Sequence, residues 1–353
     1  MKRSKPVAPK VPLTRGRKTT TLRELADHLG LAPATVSTAI NGTVSSGIAP
    51  ETRQRILEAA RELNYRPNFL ARSLRLRRTF TIGVMVPEIS QGYTVMVARG
   101  IEEYLLDKGY FYLIASHHLQ PELIEDYTER FVERAVDALI VVCGPWQRPL
   151  QIPVATISAY HAVKGTTSVL LDNRRAAEMG LNHLVELGHR KIAFIRGTAT
   201  VPEAEVRWKA IQEAAAKIGL PIQPSLTVQI LMVQPSRAEP GYNATKQLLA
   251  SGAEFTAIFA FNDMCAIGAV RALREAGLRV PGDVSVLGID DIESATYSGP
   301  GLTTIRQPLE EMGRIASATV LEQLSRPAEE WSELTAQVVV APELVVRSTT
   351  GPA

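Results

Sequence analysis

Cysteine is nearly absent: Cys143 and Cys265 are the only two in 353 residues, and both sit in apolar sequence, IVVCG and NDMCAIG. Thiols so placed read as buried and free, which excludes a disulfide framework and fits a reducing, cytoplasmic setting. Long apolar runs are missing too. None reaches the roughly 20 residues a bilayer-spanning helix needs, and no apolar segment follows the charged N-terminus, so neither a membrane span nor a secretory signal is expected. The motifs of catalysis are also lacking, with no G-x-x-x-x-G-K-[ST], no strand-linked G-x-G-x-x-G and no G-x-S-x-G. The six histidines show no metal spacing. His117 and His118 are adjacent and cannot chelate from one strand face, while His183 and His189 bracket a helix end and would cap it. An enzyme is therefore not expected, and no metal or cofactor is called for.

What is present is a charge asymmetry. Residues 1–79 carry 16 Lys and Arg against 5 Asp and Glu, whereas residues 80–353 carry 23 against 31. A basic end on an acidic body points to a polyanion as the partner of that end. Residues 1–18 (MKRSKPVAPKVPLTRGRK) are rich in Pro, Lys and Arg and read as a disordered basic tail. The excess of positive charge continues beyond them to Arg78. With 45% hydrophobic and 21% charged residues, the remainder has the composition of ordinary globular units.

Three short helices are expected between residues 19 and 66. Thr21 with Glu24 forms a capping-box pattern ahead of an apolar stripe of Leu22, Leu25, Ala26 and Leu29, and Gly30 supplies the left-handed stop. A second helix runs from Pro33 to about Asn41 with Val36, Ala39 and Ile40 inward. A third, from Glu51 to Leu63, turns Ile56, Leu57, Ala60 and Leu63 inward. Two helices joined by a tight Gly turn and braced by a third make a helix-turn-helix unit.

The segments TLRELADHLGLAPATVSTAING and TRQRILEAARELNYRPNFLARSL, read together, resemble the headpiece of the lactose-repressor/galactose-repressor family, and the likeness runs on to Arg347. That resemblance implies an all-α helix-turn-helix headpiece on an α/β, two-lobed, periplasmic-binding-protein-like core. It implies a homodimer on pseudo-palindromic operator DNA, acting as a repressor. The helix from Pro33 would enter the major groove, with Pro33, Ala34 and Thr38 reading bases and Thr35, Ser37 and Asn41 touching backbone. Thr21, Leu22, Tyr65, Asn68 and Ala71 complete the implied DNA surface. Two positions depart from the family pattern. Ala32 replaces the usual Ser or Thr cap, at a cost of about 1 kcal/mol, and Thr38 stands where Arg or His is common, so no bidentate guanine contact arises there.

The stretch 67–79, with Pro67-Asn68-Phe69-Leu70-Ala71-Arg72-Ser73-Leu74-Arg75, resembles the family's hinge helix. At about eight residues it is too short to persist alone in water. By resemblance it folds on DNA, where Leu74 wedges into a minor-groove step and Arg75 flanks it. A plain amphipathic linker is the alternative.

From residue 80 the pattern becomes apolar strand and amphipathic helix in two series. Strands are expected at 81–86, 111–116, 138–143, 154–158 and 168–172, then at 191–196, 226–231, 257–261 and 284–289. Helices are expected at 94–108, 174–187, 203–218, 263–276 and 309–323. Near-continuous Val, Ile and Leu strands between helices indicate parallel sheets covered on both faces. The N-lobe would hold about 80–172 and 307–336, the C-lobe about 173–306 and 337–347, with 348–353 a tail. Polar residues gather at the predicted strand ends, where open α/β sheets bind ligands.

Through the motifs LGHRKIAFI, FND, GIDD and LTTIRQP, the family resemblance assigns effector binding to Arg207, Asn262 and Asp290, with Tyr93 and Thr94 on the N-lobe wall and Gln307 at a crossover strand. Asp172 and Asp263 are as readily helix caps as ligand contacts. This polar set leans towards a sugar or polyol, although nucleobase-binding relatives share the fold. The segment VQPSRAEPG offers no aromatic platform before Tyr242, and Trp146 is the candidate in its place, or a side chain closing the lobe interior. A periplasmic sugar-binding protein and a ligand-independent architectural DNA binder are the rival readings, disfavoured by the headpiece and the polar set respectively.

Overall fold

The structure is a computed structural model that describes residues 20–41, 47–66, 73–74, 76–89, 92–231, 237–333 and 335–353. The chain divides into two units, Met1–Arg78 and Thr79–Ala353. Among the described residues no helix is long and apolar enough to cross a membrane.

In the first unit, α1 (Leu22–Leu29), α2 (Pro33–Asn41) and α3 (Pro50–Glu62) follow the expected order. The capping box forms as its spacing requires: Glu24 N donates to Thr21 Oγ1 at 3.2 Å, and Thr21 N donates to Glu24 Oε2 at 2.7 Å. Gly30 stops α1 at φ 66°, a region costly for residues with a Cβ. Leu25, Ala26, Val36, Ala39, Ile56, Ala59 and Ala60 form the core. Leu57, expected inward, is only half-buried and Ala59 takes its place. The helical period explains this: Ile56, Ala59, Ala60 and Leu63 share one face, and Leu57 lies about 100° round from Ile56. Thr20 Oγ1 donates to the Leu63 carbonyl at 2.7 Å, tying the start of the unit to its last helix.

The second unit contains two six-stranded sheets. The N-lobe sheet has the order β11-β5-β4-β3-β1-β2, all parallel, built from β1 (Thr81–Val86), β2 (Phe111–Ser116), β3 (Ala138–Val142), β4 (Val154–Ile157), β5 (Thr166–Leu171) and β11 (Thr335–Val340). The C-lobe sheet, β12-β10-β9-β8-β6-β7, uses β6 (Ile192–Arg196), β7 (Thr227–Gln229), β8 (Ala257–Ala260), β9 (Ser285–Asp290), β10 (Thr303–Arg306) and β12 (Glu343–Val345), with only β12 antiparallel to its neighbour. Covering helices are α4 (Tyr93–Asp107), α5 (Pro121–Glu133), α6 (Asn173–Glu186), α7 (Pro202–Lys217), α8 (Glu239–Ala250), α9 (Asp263–Glu275), the short α10 (Glu293–Tyr297) and α11 (Leu309–Leu324). Strands β1, β3, β4 and β5 are buried along their whole length, as strands sandwiched between helix layers must be.

The last lobe boundary differs from expectation. The change placed at 336/337 falls inside β11, whose residues through Val340 pair with β5. Ala341-Pro342 ends that strand, because proline cannot donate to a ladder. The final residues are also not a loose tail. Val286 N donates to the Thr349 carbonyl at 2.7 Å, and Ala353 N donates to Leu187 O at 2.9 Å. His183 and His189 serve this docking rather than capping α6. His183 Nε2 lies 2.9 Å from Thr350 Oγ1, and His189 Nε2 lies 3.0 Å from the Gly351 carbonyl. Arg190 Nη1 instead reaches the Val185 carbonyl near the end of α6 at 2.8 Å.

Helices α4 and α11 approach backbone to backbone through Gly100 and Gly313. A Cβ on Gly100 would collide with the Glu310 carbonyl, and one on Gly313 with that of Val97. Both obstacles are main chain, so they cannot rotate aside. Gly100→Ala is expected to lower core stability by about 1–3 kcal/mol, read from the midpoint of urea unfolding; an unchanged midpoint would show that the helices can separate freely.

Candidate functional site

On the headpiece, Pro33, Ala34 and Thr38 are exposed on α2, Thr35 and Ser37 are half-buried, and Val36 and Ala39 are buried. The three expected base readers thus share the face opposite the core, and none of them carries a charge. The Thr21 side chain is engaged in the cap, while Leu22 and Tyr65 pack against the headpiece core. Leu74 is 81% exposed. The Asn41 side chain, Asn68, Ala71, Arg75 and the basic tail 1–18 lie outside the described residues.

In the core, a cleft that opens to solvent lies at the C-terminal strand ends of both lobes. Pro87, Tyr93, Thr94, Leu119 and Cys143 line it from the N-lobe, and Arg207, Asn262 and Asp290 line it from the C-lobe. Five expected effector residues are therefore brought together. Two are not. Trp146 is 3% exposed and packs in the N-lobe cluster with Met85, Ile124 and Leu139, away from the cleft. It closes the lobe interior because β3 hands on to a loop that folds back over the sheet. Gln307 sits behind the wall, donating from Nε2 to Asp290 Oδ1 at 2.6 Å.

Arg207 is held on three sides. Its Nε donates to Asn173 Oδ1 at 3.1 Å, its Nη1 donates to the Phe261 carbonyl at 2.6 Å, and its guanidinium carbon lies 4.9 Å from the centre of the Phe261 ring. Nη2 stands 3.1 Å from Glu203 Oε1 as an ion pair, yet the pair lacks hydrogen-bond alignment and Nη2 has no hydrogen-bond partner. The Glu203 carboxylate in turn accepts from Tyr160 Oη at 2.9 Å and from Asn173 Nδ2 at 3.2 Å. Burial, reinforced by that carboxylate, pushes the Cys143 thiol up to about 12 and the Tyr160 phenol far above its ordinary range.

Asn262 caps α9 through Oδ1, which accepts from Cys265 N at 2.9 Å. Capping and ligand contact are thus compatible, since its Nδ2 faces no acceptor among the described residues. Asp172 is a plain cap, accepting from Arg175 N at 3.0 Å. Asp263 is neither. Fully buried, it accepts from Ile292 N at 2.9 Å and from Thr304 Oγ1, joining β10 to the turn after β9. That turn is strained, with φ 128° at Asp290 and 58° at Asp291. Such geometry costs on the order of 1–3 kcal/mol per residue, and two ion pairs hold it: Asp291 with Arg306 at 2.7 Å and with Arg347 at 2.6 Å.

Burial raises Asp290 well above the usual carboxylate range and Asp263 from 3.8 to about 7. A carboxyl with a raised folded pKa contributes stability that is full below 3.8 and is lost as pH rises through about 7. The wild type should therefore lose stability relative to Asp263→Asn between pH 5 and pH 8, measured by urea unfolding of both at each pH. A pH-independent difference would mean that Asp263 does not titrate in that range. His117, buried at the end of β2, is fixed as the Nε2–H tautomer: Nε2 donates to Val142 O at 3.0 Å and Nδ1 accepts from Leu119 N at 3.1 Å. Burial lowers it to about 4.

Sequence reasoning passed over Glu203, Asn173, Tyr160 and Phe261. Glu203 did leave a signal, since it stands four residues before Arg207 in PEAEVR and so shares a helix face with it. Phe261 stands beside Asn262 in the FND motif, whereas Asn173 and Tyr160 come from separate elements and left none.

A three-helix DNA-reading unit followed by a two-lobed α/β core with a polar cleft defines a class, the DNA-binding transcriptional regulators. Comparison with known proteins agrees. The model of bacterial regulatory proteins of the lacI family matches residues 21–68, and that of the periplasmic binding protein-like domain matches residues 181–350. The HTH-type transcriptional repressor PurR of Haemophilus influenzae is 31% identical over 336 residues, covering 93% of this chain and 98% of the relative. The HTH-type transcriptional regulator DegA of Bacillus subtilis is 33% identical over 345 residues, 94% of this chain and 98% of the relative. Among solved structures, the Lac repressor dimer bound to operator and the anti-inducer ONPF superposes with a TM-score of 0.80 at 25% identity, over 95% of this chain and 100% of that one. A LacI family regulator from Enterococcus faecium with bound ribose gives 0.67 at 26%, over 77% and 99%. The chain belongs to the LacI family and is a transcriptional regulator, not an enzyme.

Proposed function

We propose that this protein is an operator-binding repressor controlled by a sugar or polyol held between the lobes of its core. The observation that carries this reading is the convergence of Tyr93 and Thr94 from one lobe with Arg207, Asn262 and Asp290 from the other on a single cleft. Those groups supply the donors and acceptors that the hydroxyls of a sugar need. The ribose bound to the Enterococcus faecium relative supports the same ligand class. A homodimer would set two recognition helices on a pseudo-palindromic site, as two-fold symmetry requires. A ligand that touches both lobes biases their relative angle, and the bias reaches DNA through residues 67–79. By linkage, ligand and operator change each other's affinity by one common factor.

A nucleobase is the second reading, favoured by the apolar side of the cleft, where Phe261, Met264 and Ile292 offer a surface for a flat ring. A screen of sugars, polyols and nucleobases by thermal shift, followed by operator binding with each hit, tests both. A ligand present at 100 times its Kd stabilises by about 2.7 kcal/mol, a readily visible shift. Sugars or polyols should be the class that both stabilises the protein and alters operator affinity. Hits confined to nucleobases would replace the sugar reading, and no hit in any class would remove the effector.

A further inference from the structure

Arg207 is the only cationic side chain among the described residues lining the cleft, and its charge is already met there. Glu203 stands 3.1 Å from Nη2, with both side chains at most 5% exposed. The carboxylate is fixed in place by Tyr160 Oη and Asn173 Nδ2, and Asn173 also accepts from Arg207 Nε, so carboxylate and guanidinium are bound into one frame. A second carboxyl, Asp290, lines the same cleft. One cation is therefore met by one carboxylate, with the Asp290 carboxyl pushed towards its neutral form by burial beside them, and among side chains so buried an unpaired charge is costly.

The donor capacity left over suits hydroxyls. Nη2 is buried without a hydrogen-bond partner, and Asn262 lines the cleft with only its Oδ1 engaged, in the cap. A hydroxyl can accept from Nη2 and donate to Glu203 or Asp290 while adding no charge. A ligand carboxylate or phosphate would have to displace Glu203 from Arg207 and then sit beside both carboxyls.

We propose that Glu203 sets the charge class of the effector: by neutralising Arg207 inside the cleft, it makes the site accept an uncharged or amino-bearing polyol and exclude carboxylated and phosphorylated ones. This rests on the cleft being the effector site.

Two measurements on the full chain test it. The first titrates the wild type with matched sets, in which glucose, galactose and ribose are each compared with their amino, uronic or aldonic acid and phosphate derivatives. Binders should be neutral or amino members, with acidic counterparts at least about tenfold weaker, since like charges in contact oppose binding strongly. An acidic member that binds more tightly than its neutral counterpart overturns the role of Glu203 while leaving the cleft as effector site. Binding by no member of any set removes the effector reading, and the proposal with it.

The second measurement needs no knowledge of the ligand. Glu203→Gln leaves Arg207 without its counter-ion, so this variant should bind inorganic phosphate at millimolar concentration by isothermal titration in constant ionic strength, and the wild type should not. Equal phosphate binding by both, or by neither, goes against the proposal. If the variant fails to fold, the wild-type titrations alone decide.

Discussion

Arg207→Ala should destabilise the core by about 3–5 kcal/mol, because removing one partner of a buried ion pair leaves the other uncompensated. The substitution also removes the hydrogen bonds to Asn173 and to the Phe261 carbonyl, and the cation resting on the Phe261 ring. Glu203 would then be left 3% exposed without its cation. The double variant Arg207→Met with Glu203→Leu should recover much of the loss, since a buried pair can often be exchanged for apolar side chains of similar volume at little cost. Its response to effector should not recover. Urea unfolding of the three proteins measures the first effect and operator release measures the second. A single variant as stable as wild type would mean that Glu203 moves out to water, and the frame described above would not be rigid.

Leu74→Ala is expected to weaken specific operator binding by roughly 30- to 100-fold, the equivalent of about 2–3 kcal/mol for a leucine that becomes buried on binding. At 81% exposure the side chain is poorly accommodated in water, yet it sits beside an Arg-rich stretch suited to a phosphate backbone. Ser73, Leu74 and Leu76 carry helical backbone, and Arg78 N donates to the Ser73 carbonyl at 3.2 Å. Minor-groove wedging predicts that binding to random duplex stays within about twofold at the same salt concentration, because that binding is chiefly electrostatic. Fluorescence anisotropy with an operator and a scrambled duplex makes the comparison, and equal losses on both would remove the wedge.

The headpiece was the most legible part of the chain. Its caps, its Gly turn and its apolar stripes are local signals, each read within four residues, and local hydrogen bonds suffice to realise them. The nine strands expected from apolar runs also lie where β1 to β9 form, with ends displaced by at most two residues. Strands β10 to β12 lay outside those runs. β11 and β12 stand at sheet edges with exposed residues such as Val339, so burial imposes little pattern on them, whereas β10 is buried but carries two threonines and an arginine among its four residues and so shows no apolar run. The last lobe crossing was misplaced because β11 is such an edge strand, and the docked C-terminus was missed because its partners, on β9, β10 and at the end of α6, lie more than 40 residues away.

The cleft divides in the same way. Tyr93, Thr94, Arg207, Asn262 and Asp290 were legible because motifs mark them at strand ends, and strand ends are where an open α/β sheet presents side chains to a ligand. Trp146 and Gln307 lie at similar places along the chain but point elsewhere, a matter settled by packing alone.

By itself, then, the amino-acid sequence determined the helices and strands, since periodicity and capping act over one or two turns of chain, and its motifs carried the resemblance to the family and marked the polar residues of the cleft. Only the tertiary structure decided the charge that those residues present together. Asn173 and Tyr160 reach the Glu203–Arg207 pair from elements other than its helix, and Coulomb and hydrogen-bond energies depend on distances in space that sequence spacing does not specify.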